Sequence, residues 1–425
     1  MEDAMTLALI IFLCTYVLLL ALPKYRAYVS LTAAALFVIL GILPASEIFA
    51  SVNWNVILMI GGTMGTTFFF TESKMPALLA DIIIKRTPNV KVAIIALSLF
   101  AGIISAFVDN VATVLMVAPV ALTISRKLKI SPVPSVIAIA ISSNLQGAAT
   151  LVGDTTSILL GTYAGMDFLD FFFYKGNPGL FWVVEISAIF ATLVLLWVFR
   201  KEKQAICMEC DSTVEDYFPT AMLVGTILLL ILASFLPHKP EVTNGLICMS
   251  LFLVCLIREL LFKKHQRLAL DAVKSIDFFT LALLAGLFIV IAGISRAGVV
   301  DAIAQLFVRI SGSNIFIMYT LIVWASVLFS AFIDNIPYVA AMLPVVTGIA
   351  NLLGVEPTLL YFGLLSGATL GGNLTPIGAS ANIAGLGILR KEGHNVSVGQ
   401  FMRISVPFTL TAVICGYLLI WLIWS

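Results

Sequence analysis

Six residues, Ser105-Ala106-Phe107-Val108-Asp109-Asn110, return as Ser330-Ala331-Phe332-Ile333-Asp334-Asn335, 225 positions further on (330 − 105). The same offset, without a gap, pairs Gly61 with Gly286, Pro119 with Pro344, Gly147 with Gly372, Thr150 with Thr375 and Gly153 with Gly378. A duplication in such strict register means that the fold is assembled from two copies of one unit. Each copy of the six-residue word lies between apolar stretches of roughly sixteen residues, about 24 Å of helix. An acid in that setting is costly unless it is used.

Lipid is the solvent this chain is written for. Its residues are 61% hydrophobic and 11% charged, with mean hydropathy +1.09, against roughly a quarter charged in soluble domains. Apolar windows long enough to span a bilayer recur, near 5–22, 28–44, 54–70, 132–163, 179–199, 219–236, 242–262, 277–293, 357–389 and 403–424. The expected fold is all-α: a polytopic membrane protein with inverted repeats, about ten spans, two re-entrant hairpins and two broken helices. A net charge of +1 with no basic patch excludes nucleic acid as a partner. No basic n-region precedes the first apolar stretch, which reads as a retained span.

Basic residues set the orientation. With Lys24 and Arg26 in the cytoplasm, counting crossings puts 20 of the 24 Lys and Arg on that side, leaving Lys175, Lys239, Arg296 and Arg309. Both termini are then outside a plasma (inner) membrane. An odd number of crossings separates span 54–70 from its counterpart 277–293, so the repeat is inverted, the usual plan of secondary transporters with a site near the midplane. The expected division is an extra span at 1–27, a first repeat over 28–200, a cytoplasmic loop and linking span at 201–241, and a second repeat over 242–425. Segments 75–86 and 299–310 carry charge at helical spacing and read either as surface helices or as connecting loops.

The two acids lie at the tips of hairpins 91–126 and 313–351. Arms too short for the roughly 30 Å hydrocarbon core, with basic residues at both ends of the first, favour a re-entrant hairpin over two full spans. Two readings of Asp109-Asn110 and Asp334-Asn335 stand side by side. They cap the helix that follows, or they present carboxylates to a shared cation or proton at membrane depth. Pro119 and Pro344 inside the second arms predict kinks.

Each hairpin is followed by a stretch too polar for one unbroken span. The first runs Gly147-Ala-Ala-Thr150-Leu-Val-Gly153-Asp154-Thr155-Thr156-Ser157, and the second Gly371-Gly372-Asn373-Leu-Thr375-Pro376-Ile-Gly378-Ala-Ser380-Ala-Asn382. A helix broken mid-membrane frees backbone groups that are tolerated only where they line a cavity or meet a ligand. A glycine face for close helix packing is the alternative.

On these residues the chain resembles the ion-transporter superfamily of arsenite permeases, NhaD-type sodium/proton antiporters, the melanosomal P protein and, more distantly, citrate-type and dicarboxylate/sodium symporters. The duplicated Asp-Asn tips, "GAATLVGDTTS" and "GGNLTPIGASAN" carry the likeness, over about residues 30–425. The resemblance implies paired hairpins and two unwound helices enclosing substrate and coupling ion. Residue by residue it implicates Asp109, Asn110, Gly147, Thr150, Gly153 and Asp154 in one half. In the other it implicates Asp334, Asn335, Gly372, Asn373, Thr375, Gly378 and Asn382. The dicarboxylate branch has Ser-Asn-Thr where this chain has Asp-Asn-Val and Asp-Asn-Ile, and Thr155-Thr156-Ser157 replaces the Pro-Pro-Asn run common in relatives. Two tip acids repel a carboxylate substrate unless it is protonated or paired with cations.

The expectation is an ion-coupled, alternating-access secondary transporter for a small inorganic ion or oxyacid, as in sodium/proton exchange or arsenite efflux. A passive channel on the same scaffold and a sodium-coupled di/tricarboxylate symporter are the alternatives. No cofactor is expected beyond a coupling Na+ or H+, and no metal beyond a transported cation at Asp109 and Asp334. The bilayer and a second copy of the chain, as a homodimer, are the expected partners. No Lys or Arg falls in the expected cavity. An enzyme is not expected: His238, His265 and His394 lie in loops, without a nucleophile–base set. Cys207 and Cys210 form a lone CxxC without the further ligands zinc needs. Glu185 is an acid inside span 179–199 whose repeat mate is the apolar Leu410.

Overall fold

The computed structural model describes residues 2–205, 212–312 and 314–425; the Cys207–Cys210 pair lies outside them. The described chain is almost entirely helical, and its single sheet is a pair of two-residue strands, Phe173–Tyr174 with Asn177–Pro178. Among the described residues seven helices are long and apolar enough to cross a membrane, up to nine if each of two bent pairs counts as one span. The broken segments and the fourteen-residue helix Arg26–Ile39 are too short individually. That last helix stops where Gly41 takes φ +70° and Pro44 follows, a pairing that cannot continue a helix.

The repeat is visible helix by helix. The hairpin arms are Val90–Ser105 with Asn110–Leu128, and Ile315–Ser330 with Asn335–Leu353, every boundary 225 apart. Asn89 and its mate Asn314 open the first arms in the same way, their side chains accepting from backbone N–H groups of the first turn. Lys129 and its mate Gly354 both take a left-handed conformation, φ +53° and +64°, just past the second arms. Pro119 and Pro344 lie within continuous helix. Met75–Lys85 and Val299–Ser311 are helices, not loops.

The two halves exchange partners. Arg26–Ile39 packs along Phe278–Arg296, while Thr243–Ile257 packs along Trp54–Glu72. Glycine makes this close approach feasible: a Cβ on Gly62 would stand 2.4 Å from the Cys248 carbonyl carbon, and one on Gly286 would stand 2.7 Å from that of Ser30. Glu2–Ala21 and Phe218–Ser234 then take equivalent places, each beside one of these exchanged pairs. The exchange leaves the hairpins and broken helices to meet in the interior.

Candidate functional site

Both long segments are broken at the expected places. The first consists of Val133–Gly147 and Thr155–Ala164, and the second of Thr358–Gly371, a short 3-10 turn and Ser380–Lys391. Each hairpin tip is seated in the break of its own half. Thr150 Oγ1 donates to the Ala106 carbonyl, and its mate Thr375 Oγ1 donates to that of Ala331. Gly153 and Gly378 make the seat possible: a Cβ on Gly153 would lie 2.7 Å from the Ser105 and Ala106 carbonyl oxygens. One on Gly378 would lie 2.8 and 2.9 Å from those of Ser330 and Ala331. Gly147 and Gly372 flank the same breaks: a Cβ on Gly153 would lie 2.5 Å from the Gly147 carbonyl oxygen, and one on Gly378 would lie 2.6 Å from that of Gly372.

Side chains join the two breaks across the repeat axis. Asn144 Nδ2 donates to the carbonyl of Thr369, its own repeat mate, at 2.9 Å. Asn373 Nδ2 donates to the Ile141 carbonyl at 2.9 Å, and the hydroxyls of Thr156 and Thr369 share a hydrogen bond of 3.0 Å. Asn110 Nδ2 donates to Asn144 Oδ1 at 3.1 Å, which ties the first tip into this network. Asn382 Nδ2 spans its own break, donating to the Gly372 and Thr375 carbonyls, both at 3.2 Å. The Oδ1 atoms of Asn373 and Asn382 are buried without a protein hydrogen-bond partner, which is exceptional for native polar groups.

Beside the network is a cavity of ≈320 Å³. Asp109, Asn110 and Val111 of the first tip, Asn335 and Ile336 of the second, and Asn144, Asp154, Thr155 and Ser380 from the breaks all line it. Met64, Thr67, Phe68 and Thr71 of Trp54–Glu72 form one wall, and Ser275, Asp277 and Thr280 form the mouth. Ser275 and Asp277 are exposed, so the cavity reaches the surface there. Its lining contains three acids and no Lys or Arg. Four residues singled out from the sequence thus meet directly in the cavity: Asp109, Asn110, Asp154 and Asn335. Gly147, Thr150, Gly153, Gly372, Asn373, Thr375, Gly378 and Asn382 shape the breaks behind it.

The capping reading of the tips is physically present. Asp109 Oδ1 accepts from Ala112 N at 3.0 Å, and Asp334 Oδ1 accepts from Ile336 N at 3.2 Å. Their second roles differ. Asp109 lines the cavity, whereas Asp334 does not, and Asp334 Oδ2 accepts from Arg26 Nη1 at 2.9 Å. Sequence reasoning places Arg26 only in a cytoplasmic connection, and no Lys or Arg is among the described residues that line the cavity. That reasoning missed that the connection folds back under the second tip, because only tertiary packing brings residues 308 positions apart together.

Asp277, Asn144 and Ser380 were also missed. Asp277 caps Phe278–Arg296 and looks like an ordinary helix start, the job that Asn53 performs for Trp54–Glu72, a helix pair whose boundaries are offset by 224 (277 − 53) and not by 225. Ser380 lies inside the second quoted motif without being singled out, and Asn144 lies three residues before the first. Glu185 accepts from Gln146 Nε2 at 2.8 Å, so the unexplained acid braces the first broken helix one residue before its break. Among the described residues no group of three or more His, Cys, Asp or Glu could hold a metal ion.

Comparison with known proteins agrees with this architecture. The citrate transporter family description, CitMHS, matches residues 16–367 and 270–425. An uncharacterised transporter of Mycobacterium tuberculosis is 32% identical over 425 residues, covering 98% of this chain and 97% of that protein. The human P protein is 24% identical over 507 residues, 99% of this chain and 60% of its own length. The crystal structure of the Alcanivorax borkumensis YdaH transporter superposes with a TM-score of 0.62 at 13% identity, over 93% of this chain and 96% of that one. At that identity the likeness is one of fold.

Proposed function

The chain belongs to the citrate transporter family CitMHS and is a multi-pass membrane transporter, and on that premise we propose that it is an ion-coupled secondary transporter working by alternating access. Its cargo is a small inorganic cation or a neutral oxyacid, placing it functionally with the sodium/proton exchangers and arsenite permeases. The observation that carries this reading is the cavity at the meeting point of both tips and both breaks, lined by Asp109, Asp154 and Asp277 and by no Lys or Arg. A cation is attracted there, and a neutral oxyacid finds hydroxyls and amides at Asn110, Asn144, Thr155 and Ser380. Freed backbone groups at a break complete a cation's shell, as in other transporters built from inverted repeats.

In this reading Asp109 takes up and releases the coupling Na+ or H+, and Asn110, Asp154 and Asn335 line the path beside it. The mouth adjoins Lys274, in the group of basic residues read as cytoplasmic, so this conformation is open to the cytoplasm of the plasma membrane, with both termini outside.

Citrate is the second reading, favoured by the family match itself. Its charge is the difficulty: one like-charge contact at 4 Å costs about 4 kcal/mol at an effective dielectric of 20. Citrate therefore enters this cavity only with its carboxylates protonated or cation-paired. Proteoliposomes under imposed pH, sodium and arsenite gradients, with labelled citrate assayed with and without a divalent cation, separate the readings. Flux that ignores both pH and sodium gradients and follows only the cargo's own gradient overturns coupling and assigns a channel.

A further inference from the structure

The two tips differ in one contact that the coupled-transporter reading leaves unused. Arg26 opens helix Arg26–Ile39, and its guanidinium is fixed from two sides. Nε donates to the Leu19 carbonyl at 3.1 Å, and Nη1 donates to Asp334 Oδ2 at 2.9 Å. The two side chains are only 18% and 19% exposed. The same pair of helices grips the second tip again three residues on, where Tyr16 Oη donates to the Pro337 carbonyl at 2.7 Å. With Oδ1 capping Ile336, each oxygen of Asp334 has a committed partner.

Nothing equivalent serves the first tip. The residue 225 positions after Arg26 is Leu251, and among the described residues no Lys, Arg or His forms an ion pair with Asp109. Charge compensation at the tips is therefore asymmetric although the sequence word is duplicated. We propose that Arg26 is the built-in cation of the second tip, a positioning residue whose guanidinium satisfies Asp334 so that, of the two tip acids, Asp109 alone takes a mobile coupling cation. This rests on the coupled-transporter reading and adds to it the number of cation sites. A low-exposure carboxylate that loses its partner must find another or be neutralised. Removing Arg26 thus creates a second cation requirement rather than merely a weaker protein.

The test uses the reconstituted chain as wild type, R26Q, D334N, R26Q/D334N and D109N. Flux is driven by proton and sodium gradients in turn, and the concentration of the driving cation is varied. Wild type is expected to follow that cation with a Hill coefficient of about one, the signature of one site. R26Q loses flux roughly tenfold or more at low cation, the scale of a broken low-exposure pair. It recovers at high cation with a coefficient rising towards about two. R26Q/D334N returns to about one and regains most of the flux, and R26Q does not rescue D109N. A pair that served packing alone would lower thermal stability in detergent without changing the coefficient.

The inference is overturned by a coefficient of about two in wild type that falls to one in D334N. It is equally overturned by unchanged cation dependence in R26Q, or by recovery of D109N on adding R26Q. Should R26Q fold too poorly to assay, R26K and D334N carry the test: both are expected to keep a coefficient of about one, and a change in either overturns the proposal. Loss of all gradient dependence in wild type overturns the coupled-transporter reading itself, whereas the outcomes above leave that reading standing.

Discussion

Placed on one another, the two hairpin tips share nearly everything except their electrostatics. Each acid caps the following helix, and each tip receives a threonine hydroxyl and a glycine from its own break. Yet Asp109 faces the cavity while Asp334 is bound by Arg26. The first break also carries Asp154, where the second has Ala379, and is braced by the Gln146–Glu185 contact, where the second has Gly371 and Leu410. Duplication preserved the architecture, and divergence left the first half with the tip acid that has no ion-pair partner and with Asp154 beside it. Backbone packing must be satisfied in both copies of an inverted repeat, but charge needs to be placed only where it is used.

The largest effect expected from that contrast is at Asp109. Asn caps a helix about as well as Asp, so Asp109→Asn leaves the tip folded while removing the charge. A carboxylate–cation contact at 4 Å is worth about 4 kcal/mol at an effective dielectric of 20, which sets an expected loss of gradient-driven flux beyond a hundredfold. Proteoliposome uptake reads it, with thermal midpoint unchanged. Flux within threefold of wild type would break the assignment of the chemistry to the first half.

Where the halves are alike, variants must behave alike. Gly153→Ala and Gly378→Ala each place a Cβ within 3 Å of carbonyl oxygens of the hairpin tip and of the glycine facing it across the break. Backbone cannot step aside cheaply, and overpacking of this kind costs about 1–3 kcal/mol. Both variants are expected to lower the thermal midpoint in detergent by similar amounts. A loss at one glycine alone would show that only one tip is tightly seated.

Glu185→Leu installs the residue of the second half in the first. It strands Gln146 Nε2 in a site of low exposure, at a cost of about 1–3 kcal/mol. The second half needs no such brace because Gly371 has no side chain to satisfy. Gln146→Gly together with Glu185→Leu should therefore recover part of the lost midpoint, and a double variant worse than the sum of its singles would refute the bracing role.

The repeat itself was legible because an internal duplication is read from the chain against itself, without reference to any other structure. Register 225 located hairpins, tips and breaks to within a few residues, and charge and glycine content marked the breaks. Partner exchange between halves left no such trace. Gly62 and Gly286 are unexceptional in apolar helices, and only the fold shows that another backbone lies against them. Arg26 and Asp277 were hidden for a related reason: each sits at a helix start, where a polar residue has an ordinary local explanation. The asymmetry of the site depends on those two residues, so its symmetric part could be read from sequence and its electrostatics could not.

The smallest expected effect concerns the connection between the halves, where two adjacent acids reach in opposite directions. Glu215 pairs with Lys74 of the first half at 2.6 Å, with both side chains more than half exposed. Asp216 accepts from Arg258 Nη1 of the second half at 2.6 Å, in a setting where its side chain is 19% exposed. Burial alone would raise the Asp216 carboxyl, but hydrogen bonds from Arg258 and Lys263 outweigh it and hold the group well below the usual carboxylate range. A carboxyl whose pKa is depressed by folding contributes stability that is present above its unfolded value of about 3.9 and is lost as pH falls below it. Asp216→Asn is accordingly expected to lower the thermal midpoint at pH 7, and the gap to wild type should hold down to about pH 4 and narrow only below it, because the carboxyl stays charged in the folded protein well below that pH. Glu215→Gln should be nearly silent throughout, since exposed pairs are worth about 0–1 kcal/mol. If Glu215→Gln proved the more damaging of the two, the connection would be anchored on the first half and the comparison of halves would have to be redrawn.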